Sequence, residues 1–235
     1  VNVKTKDFRW VMDFNLAHNK SKINRLNVRD NSYEPSREGY SVGAVFSLKT
    51  AGLDENGLQM FYNKQGEKVS FNDFFGLEYG YMMGGLIPFL QSNLSAEEYR
   101  NLFTYEGTTE PKFTGGWINR FYYKNFDLTV SASFVLDQTV QEQPFYNPVQ
   151  TSPGQNYSRR MSQIWSPDNT SGKYPRIMGT YTEGEENWAY QWLGMLDPGN
   201  SYRKYDYWFK KMSYMRINSI RLGYTFPERL LGHIG

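Results

Sequence analysis

The sequence predicts an all-β chain: long antiparallel strands, joined by tight turns at one end and by long decorated loops at the other. Three observations lead there. Apolar and polar residues alternate with period two over long stretches. Aromatic residues make up 17% of the 235 residues while mean hydropathy is −0.68, so greasy side chains are gathered into stripes within a polar chain. Finally, no run of about 18 apolar residues exists, which excludes a bundle of transmembrane helices. So aromatic a chain is not disordered. A transmembrane β-barrel stays open, because its lipid face uses only alternate residues. A soluble antiparallel sheet would show nearly the same alternation.

The strands are read in order. In residues 8–16, Phe8, Trp10, Met12, Phe14 and Leu16 fall on one face, and Arg9, Val11, Asp13 and Asn15 on the other. Residues 42–48 repeat the pattern, with Val42, Ala44, Phe46 and Leu48 against Gly43, Val45 and Ser47. Residues 81–90 are apolar but broken by Gly84, Gly85 and Pro88. Ser95-Ala96-Glu97-Glu98 is a capping box that opens a short helix reaching Phe103. Residues 113–123 form a ring-rich strand, and Lys124-Asn125 is a hairpin-sized gap in which Asn tolerates positive φ. The next strand, 126–136, alternates most cleanly: Phe126, Leu128, Val130, Ala132, Phe134 and Leu136 against Asp127, Thr129, Ser131, Ser133 and Val135.

Residues 137–205 then carry Pro144, Pro148, Pro153, Pro167, Pro175 and Pro198 and read as one long loop, of the length that is often functional. Within it, 157–165 suits a short helix. Residues 212–226 are again extended, but the apolar phase slips near Asn218: Met215 and Ile217 lie on one parity, Ile220, Leu222, Tyr224 and Phe226 on the other. A β-bulge or a bend there would explain the slip. Pro227 starts a last helical turn over 227–231.

Composition excludes whole classes of function. With no cysteine there are no disulfides, thiolate metal sites or cysteine nucleophiles, which fits an exported bacterial chain. A net charge of +2 gives no case for nucleic acid. Val1 reads as the middle of a domain rather than its start.

Several stretches resemble a known family, the SusC/RagA-type TonB-linked outer-membrane transporters. They are Glu106-Gly107-Thr108-Thr109-Glu110-Pro111-Lys112-Phe113-Thr114-Gly115-Gly116 followed by Asn119, Phe121 and 123–128; 214–227; 160–170 with Tyr174-Pro175-Arg176; Phe8-Arg9-Trp10 with 15–22; and Glu38-Gly39-Tyr40 with 51–54, Gly57 and Gly66. They occur in family order across nearly the whole chain. The resemblance implies a segment of a large antiparallel transmembrane β-barrel of about 22 strands around a plug, with long extracellular loops. It implies that residues 1–235 are one partial barrel domain, the C-terminal part, without signal peptide, TonB-contacting segment or plug, and with about two more strands beyond Gly235. It also implies uptake of glycans or peptides, a SusD-like lipoprotein lid, TonB and the lipid bilayer as partners, and the outer membrane of a Gram-negative bacterium as location. The rival reading is a soluble secreted carbohydrate-binding β-sandwich.

No constellation points to covalent chemistry, so the chain is read as a non-enzyme without cofactor or metal. His18 reads as a surface strand end and His233 as part of a terminal turn. Glu183, Glu185 and Glu186, and separately Glu106 and Glu110, read as solvated acidic loops, and Asp54-Glu55-Asn56-Gly57 as a turn rather than a calcium loop. The aromatics are more telling. Trp188, Tyr190 and Trp192, flanked by Glu186 and Asn187, would share one face if extended and could contact a ligand or the lid. Trp10, Trp117, Tyr123, Trp208 and Tyr224 read as a membrane-interface girdle. Arg9, Asp13, Arg120, Lys124, Asp127 and Arg221 lie on polar parities or at strand ends; in a barrel they would face the lumen, and in a soluble sheet they would be the solvent face.

Overall fold

The alternating stretches 8–16, 126–136 and 212–226 and the ring-rich stretch 113–123 become neighbours in one sheet, while the proline-rich stretch packs around rings of its own. The structure, a computed structural model, describes residues 2–27, 31–152, 154–178, 185–227 and 232. In chain order the strands are β1 (Asn2–Lys4), β2 (Phe8–His18), β3 (Ala44–Ser47), β4 (Thr50–Leu53), β5 (Gln59–Tyr62), β6 (Lys68–Val69), β7 (Leu77–Met82), β8 (Ile87–Ser92), β9 (Thr104–Thr108), β10 (Phe113–Tyr123), β11 (Phe126–Gln141) and β12 (Phe209–Tyr224). The α-helices are α1 (Phe71–Phe75), α2 (Ala96–Arg100) and α3 (Glu185–Gln191). Two compact units emerge: Val1–Ser21 with Thr108–Val140 and Lys211–Gly235, and Lys22–Gly107 with Gln141–Lys210. The expected helical turn after Pro227, together with Glu183 and His233, lies outside the described residues.

The first unit is a five-stranded sheet in the order β1-β2-β10-β11-β12. Trp117 of β10 lies between Phe14 of β2 and Ala132 of β11, and Tyr123 between Phe8 and Phe126, in antiparallel register. A fixed register keeps parities together, so the ringed parities of β2, β10 and β11 share one face. Rings from neighbouring strands meet there: Trp10 stacks with Phe121 at 6.1 Å and Phe14 with Phe134 at 6.0 Å. The second pair depends on Gly115, where an added Cβ would lie 2.4 Å from the Phe134 ring and 2.4 Å from the Asn15 carbonyl oxygen. Phe134 thus covers a glycine to reach Phe14, a known way of pinning strand register.

The β10–β11 hairpin turns at Lys124-Asn125, as the sequence predicts. The positive φ, 49°, falls on Lys124 rather than on Asn125. Asn125 is committed elsewhere: its side-chain amide donates to Thr225 O at 2.9 Å, and its carbonyl accepts the Thr225 N–H at 2.8 Å. β11 runs past residue 136 through Asp137, whose φ is 54°. Lys112 N–H meets both Leu136 O and Asp137 O there, the crowding of a bulge. In β12 the predicted slip is visible in side-chain contacts. Ser219 Oγ meets Ser131 Oγ at 2.7 Å, and Asn218 Oδ1 accepts from Ser133 Oγ at 3.2 Å. Ser131 and Ser133 share a face, so two consecutive β12 residues reach the same side and the alternation breaks between them.

A β-sandwich would close a second sheet over the rings. This unit is a single sheet, and Phe14 and Leu16 are 60% and 56% exposed. The chain carries a segment of antiparallel barrel wall, unclosed at its edges.

The second unit corrects the reading of 137–205 as a loop. Its small sheets, β3-β9, β4-β5-β6 and β7-β8, and its three helices surround a core that includes Phe61, Phe71, Phe75, Tyr99, Trp192, Tyr205 and Trp208. Prolines and glycines set the turns; the rings supply the burial that such a stretch otherwise lacks. The capping box of α2 is complete, with Ser95 Oγ accepting Glu98 N–H and Glu98 Oε2 accepting Ser95 N–H at 2.8 Å. The helix ends at Arg100, short of Phe103. The expected helix in 157–165 is a 3₁₀ turn, Arg159–Gln163, capped by Ser158. The alternation read in 42–48 fails: Ser47 and Leu48, on opposite parities, are both buried, while Val42 is exposed. Ser47 is tolerated inside because its hydroxyl donates to Glu106 at 2.5 Å. After α3, Asp197 fixes the next turn by accepting from Tyr99 Oη at 2.9 Å, from Gly199 N–H at 3.1 Å and from Ser201 N–H. Burial, reinforced by the Asp197 charge, pushes the Tyr99 phenol pKa up and keeps it a donor.

Candidate functional site

The residues expected to contact a ligand lie on a helix, not on an extended run. Helical geometry turns Trp188 and Trp192 to one side and Tyr190 away from them, so the three rings do not share a face. Trp192, 4% exposed, packs in the core at 5.7 Å from Phe75. Trp188 meets Tyr79 edge-on at 4.8 Å, and both Trp188 and Tyr190 pack partly buried against the core. The alternation was that of a helix end with two turns of rings, which a short window cannot separate from a strand. Asn187 is half-buried, and the Glu185 side chain lies outside the described residues. Glu186 is not in a solvated acidic loop: its carboxylate lies 3.2 Å from Arg176 Nε.

Arg176 leads to a cleft that residue spacing did not single out. Its guanidinium sits 5.4 Å from the Trp165 ring, and its Nη1 donates to Asn56 O at 3.3 Å. A cavity of about 340 Å³ opens beside Trp165, within the usual size range of ligand pockets. The turn 54–57, expected from sequence, packs against Trp165. Asp54 Oδ1 accepts Asn56 and Leu58 N–H, and Gly57 turns with φ 78° directly against the Trp165 indole, where a Cβ would lie at 2.3 Å. The cavity's own lining is fixed by Asn169, whose amide donates to Ser162 O and Ile164 O, both at 3.1 Å. Trp165 and Tyr174-Pro175-Arg176 were visible in the sequence only as parts of the family-like stretches. Their proximity comes from Trp165 N–H bonding Tyr174 O at 2.9 Å, a contact across nine positions that no local pattern encodes.

The other site residues fall as follows. Trp10, Tyr123 and Tyr224 lie on the sheet, with Trp10 Nε1 donating to Asn119 Oδ1 at 3.0 Å and Tyr224 near Phe126 at 4.7 Å. Trp117 is on the same face but in mid-strand, opposite Phe14. Trp208 is not on a lipid-facing strand surface. It is 0% exposed in the core of the second unit, with Nε1 bonded to Tyr202 O at 3.0 Å, because it belongs to the 3₁₀ turn Asp206–Trp208 that precedes β12. The polar parity of the sheet is a ladder of paired charges. Asp13 pairs with Arg120, Asp127 with Arg221 at 3.4 Å, and Arg9 lies over the Tyr122 ring. Lys124 stands at the hairpin, its Nζ 5.4 Å from the Tyr123 ring. His18 Nδ1 lies 2.7 Å from Lys112 O at an exposed strand end, as expected. Glu106 and Glu110 are not simply solvated: Glu106 binds Ser47 and Lys49, and Glu110 accepts from Ser21 Oγ at 2.5 Å.

No family model matches the chain. Over 252 aligned residues, all of this chain, it is 26% identical to TonB-dependent receptor P3 of Formosa agariphila. Solved structures of the RagAB peptide transporter superpose on 98% of the chain with a TM-score of 0.61 at 17% identity. The same system, in the state described as 'closed-closed', gives 0.62. The resemblance to SusC/RagA-type TonB-linked transporters is borne out. The chain spans about a fifth of the length of these relatives, 21% of the receptor and 22% of the transporter chain. In SusC/RagA-like terms, the five-stranded sheet is barrel wall and the second unit is built from the segments between wall strands.

Proposed function

We propose that this chain forms wall and extracellular loops of a TonB-dependent, SusC/RagA-like importer in the outer membrane of a Gram-negative bacterium. The observation that carries the reading is a five-stranded antiparallel sheet with an uncovered ringed face and a charge-paired polar face, in a chain similar along its whole length to a TonB-dependent receptor. An amphipathic sheet of this kind suits lipid on one side and a water-filled, plugged lumen on the other. In this reading the protein captures a peptide or glycan under a SusD-like lipoprotein, TonB drives release, and this chain performs no covalent chemistry. The membrane-interface role falls to Trp10, Tyr123 and Tyr224, which sit on the ringed face, and the lumen role to Asp13, Arg120, Asp127 and Arg221.

Uptake tests it. Cells carrying or lacking the gene, each with and without TonB, are offered fluorescent oligopeptide and oligosaccharide pools. The expected result is accumulation from one pool that disappears in both deletions. Equal accumulation from every pool in all strains would overturn the importer reading.

A further inference from the structure

We propose that a second cleft, built from residues 143–147 and 193–203, is a subsite for one uncharged, hydroxyl-bearing ring: a single neutral sugar unit. The proposal rests on the importer reading and adds a ligand class and a location to it. The cavity holds about 230 Å³, less than the pockets that take drug-sized ligands. Much of its polar lining is uncommitted. Among the described residues, the side-chain amides of Gln143 and Asn200 and the Arg203 guanidinium make no hydrogen bond or ion pair. Tyr202 is 6% exposed, and its Oη has no hydrogen-bond partner among the same residues. Each amide offers a donor and an acceptor, which matches a hydroxyl, itself both donor and acceptor. Charged ligands fit worse. A carboxylate would face Asp197, and an ammonium would face Arg203. A zwitterion could meet both, but Asp197 already accepts from Tyr99 Oη, Gly199 N–H and Ser201 N–H. It has room for one more donor, enough for a hydroxyl but not for the three N–H groups of an ammonium. Pro144, Phe145 and Leu193 supply apolar surface for the C–H face of a ring. The walls are tied before a ligand arrives. Tyr146 Oη donates to Pro175 O at 2.5 Å, Gln141 Nε2 to Arg203 O at 2.6 Å and Trp208 Nε1 to Tyr202 O at 3.0 Å.

Two substitutions separate a subsite from an ordinary polar surface. Gln143 and Asn200 are both exposed, so Gln143→Ala and Asn200→Gly leave the core intact. Gly also keeps the left-handed turn that Asn200 makes at φ 54°. The full-length protein in lipid nanodiscs is titrated with the methyl glycosides of glucose, galactose and xylose, with the methyl glycoside of glucuronic acid, and with alanine as a zwitterion, followed by ligand-observed NMR. Saturable binding of at least one neutral glycoside is expected, ahead of the glucuronic acid glycoside and of alanine. Each substitution should weaken that binding about threefold to tenfold. Absence of saturable binding by every neutral glycoside, preference for the acid or for alanine, or binding indifferent to both substitutions would overturn the proposal. TonB-dependent uptake by cells whose purified protein binds no neutral glycoside would leave the importer reading standing while the cleft assignment falls. Saturable glycoside binding by a protein that supports no TonB-dependent uptake would do the reverse.

Discussion

Asp197 illustrates how single residues hold the second unit together. One carboxylate satisfies a buried phenol and two backbone N–H groups, so its loss strands three donors at once. Asp197→Ala is expected to destabilise the unit by about 2–4 kcal/mol, read as a shift in the urea midpoint of unfolding. Glu142 ties stability to pH. The hydrogen bond from Lys210 holds its carboxyl below the usual carboxylate range against the opposing effect of burial, and Arg160 adds to the lowering. A depressed folded-state pKa adds stability that is present above the unfolded value, here 4.5, and is lost as pH falls through the folded value. Acid titration of unfolding should therefore show a loss beginning below pH 4.5 that Glu142→Gln lacks. The group is partly solvated, so the effect is small and salt-sensitive.

Among the elements, β10 and β11 show how a register is fixed. Gly115 admits the Phe134 ring, which stacks on Phe14 two strands away. Gly115→Val should cost about 1–3 kcal/mol by overpacking, measured as earlier thermal loss of the folded barrel, while Gly115→Ala should fall between it and the native protein. This region was the most legible in the sequence, since a strand packed through alternate residues writes its faces into the chain: 126–136, the Lys124-Asn125 hairpin and the slip at Asn218 all follow from periodicity. The elements of the second unit did not. Residues 42–48 alternate, yet Ser47 is buried because Glu106, distant in sequence, satisfies it. Residues 188–192 alternate, yet they are helical because the Trp188 and Trp192 rings dock on a core supplied by other segments. Similarly the cleft was illegible because Trp165, Gly57 and Arg176 meet only after folding.

At the scale of the whole molecule, the two units differ in whether they bury their rings. The second has its own buried ring cluster; the sheet has almost no interior of its own and shows its rings. Residues 22–107 joined by a flexible Gly/Ser linker to 141–210 should therefore fold in plain buffer with cooperative unfolding, whereas the sheet segments alone should require detergent or lipid. A linked fragment that stays unfolded in buffer would remove the claim of an independent core. The central claim, a wall with one lipid face, is tested most directly by spin labels. This chain has no cysteine, so single replacements can be scanned through it in the full-length protein reconstituted in lipid. Labels at Phe14, Leu128 and Val130 should collide with oxygen, and labels at Asp13, Thr129 and Ser131 with a water-soluble nickel chelate. A scan without this two-residue alternation, or with its phase reversed, would contradict the account.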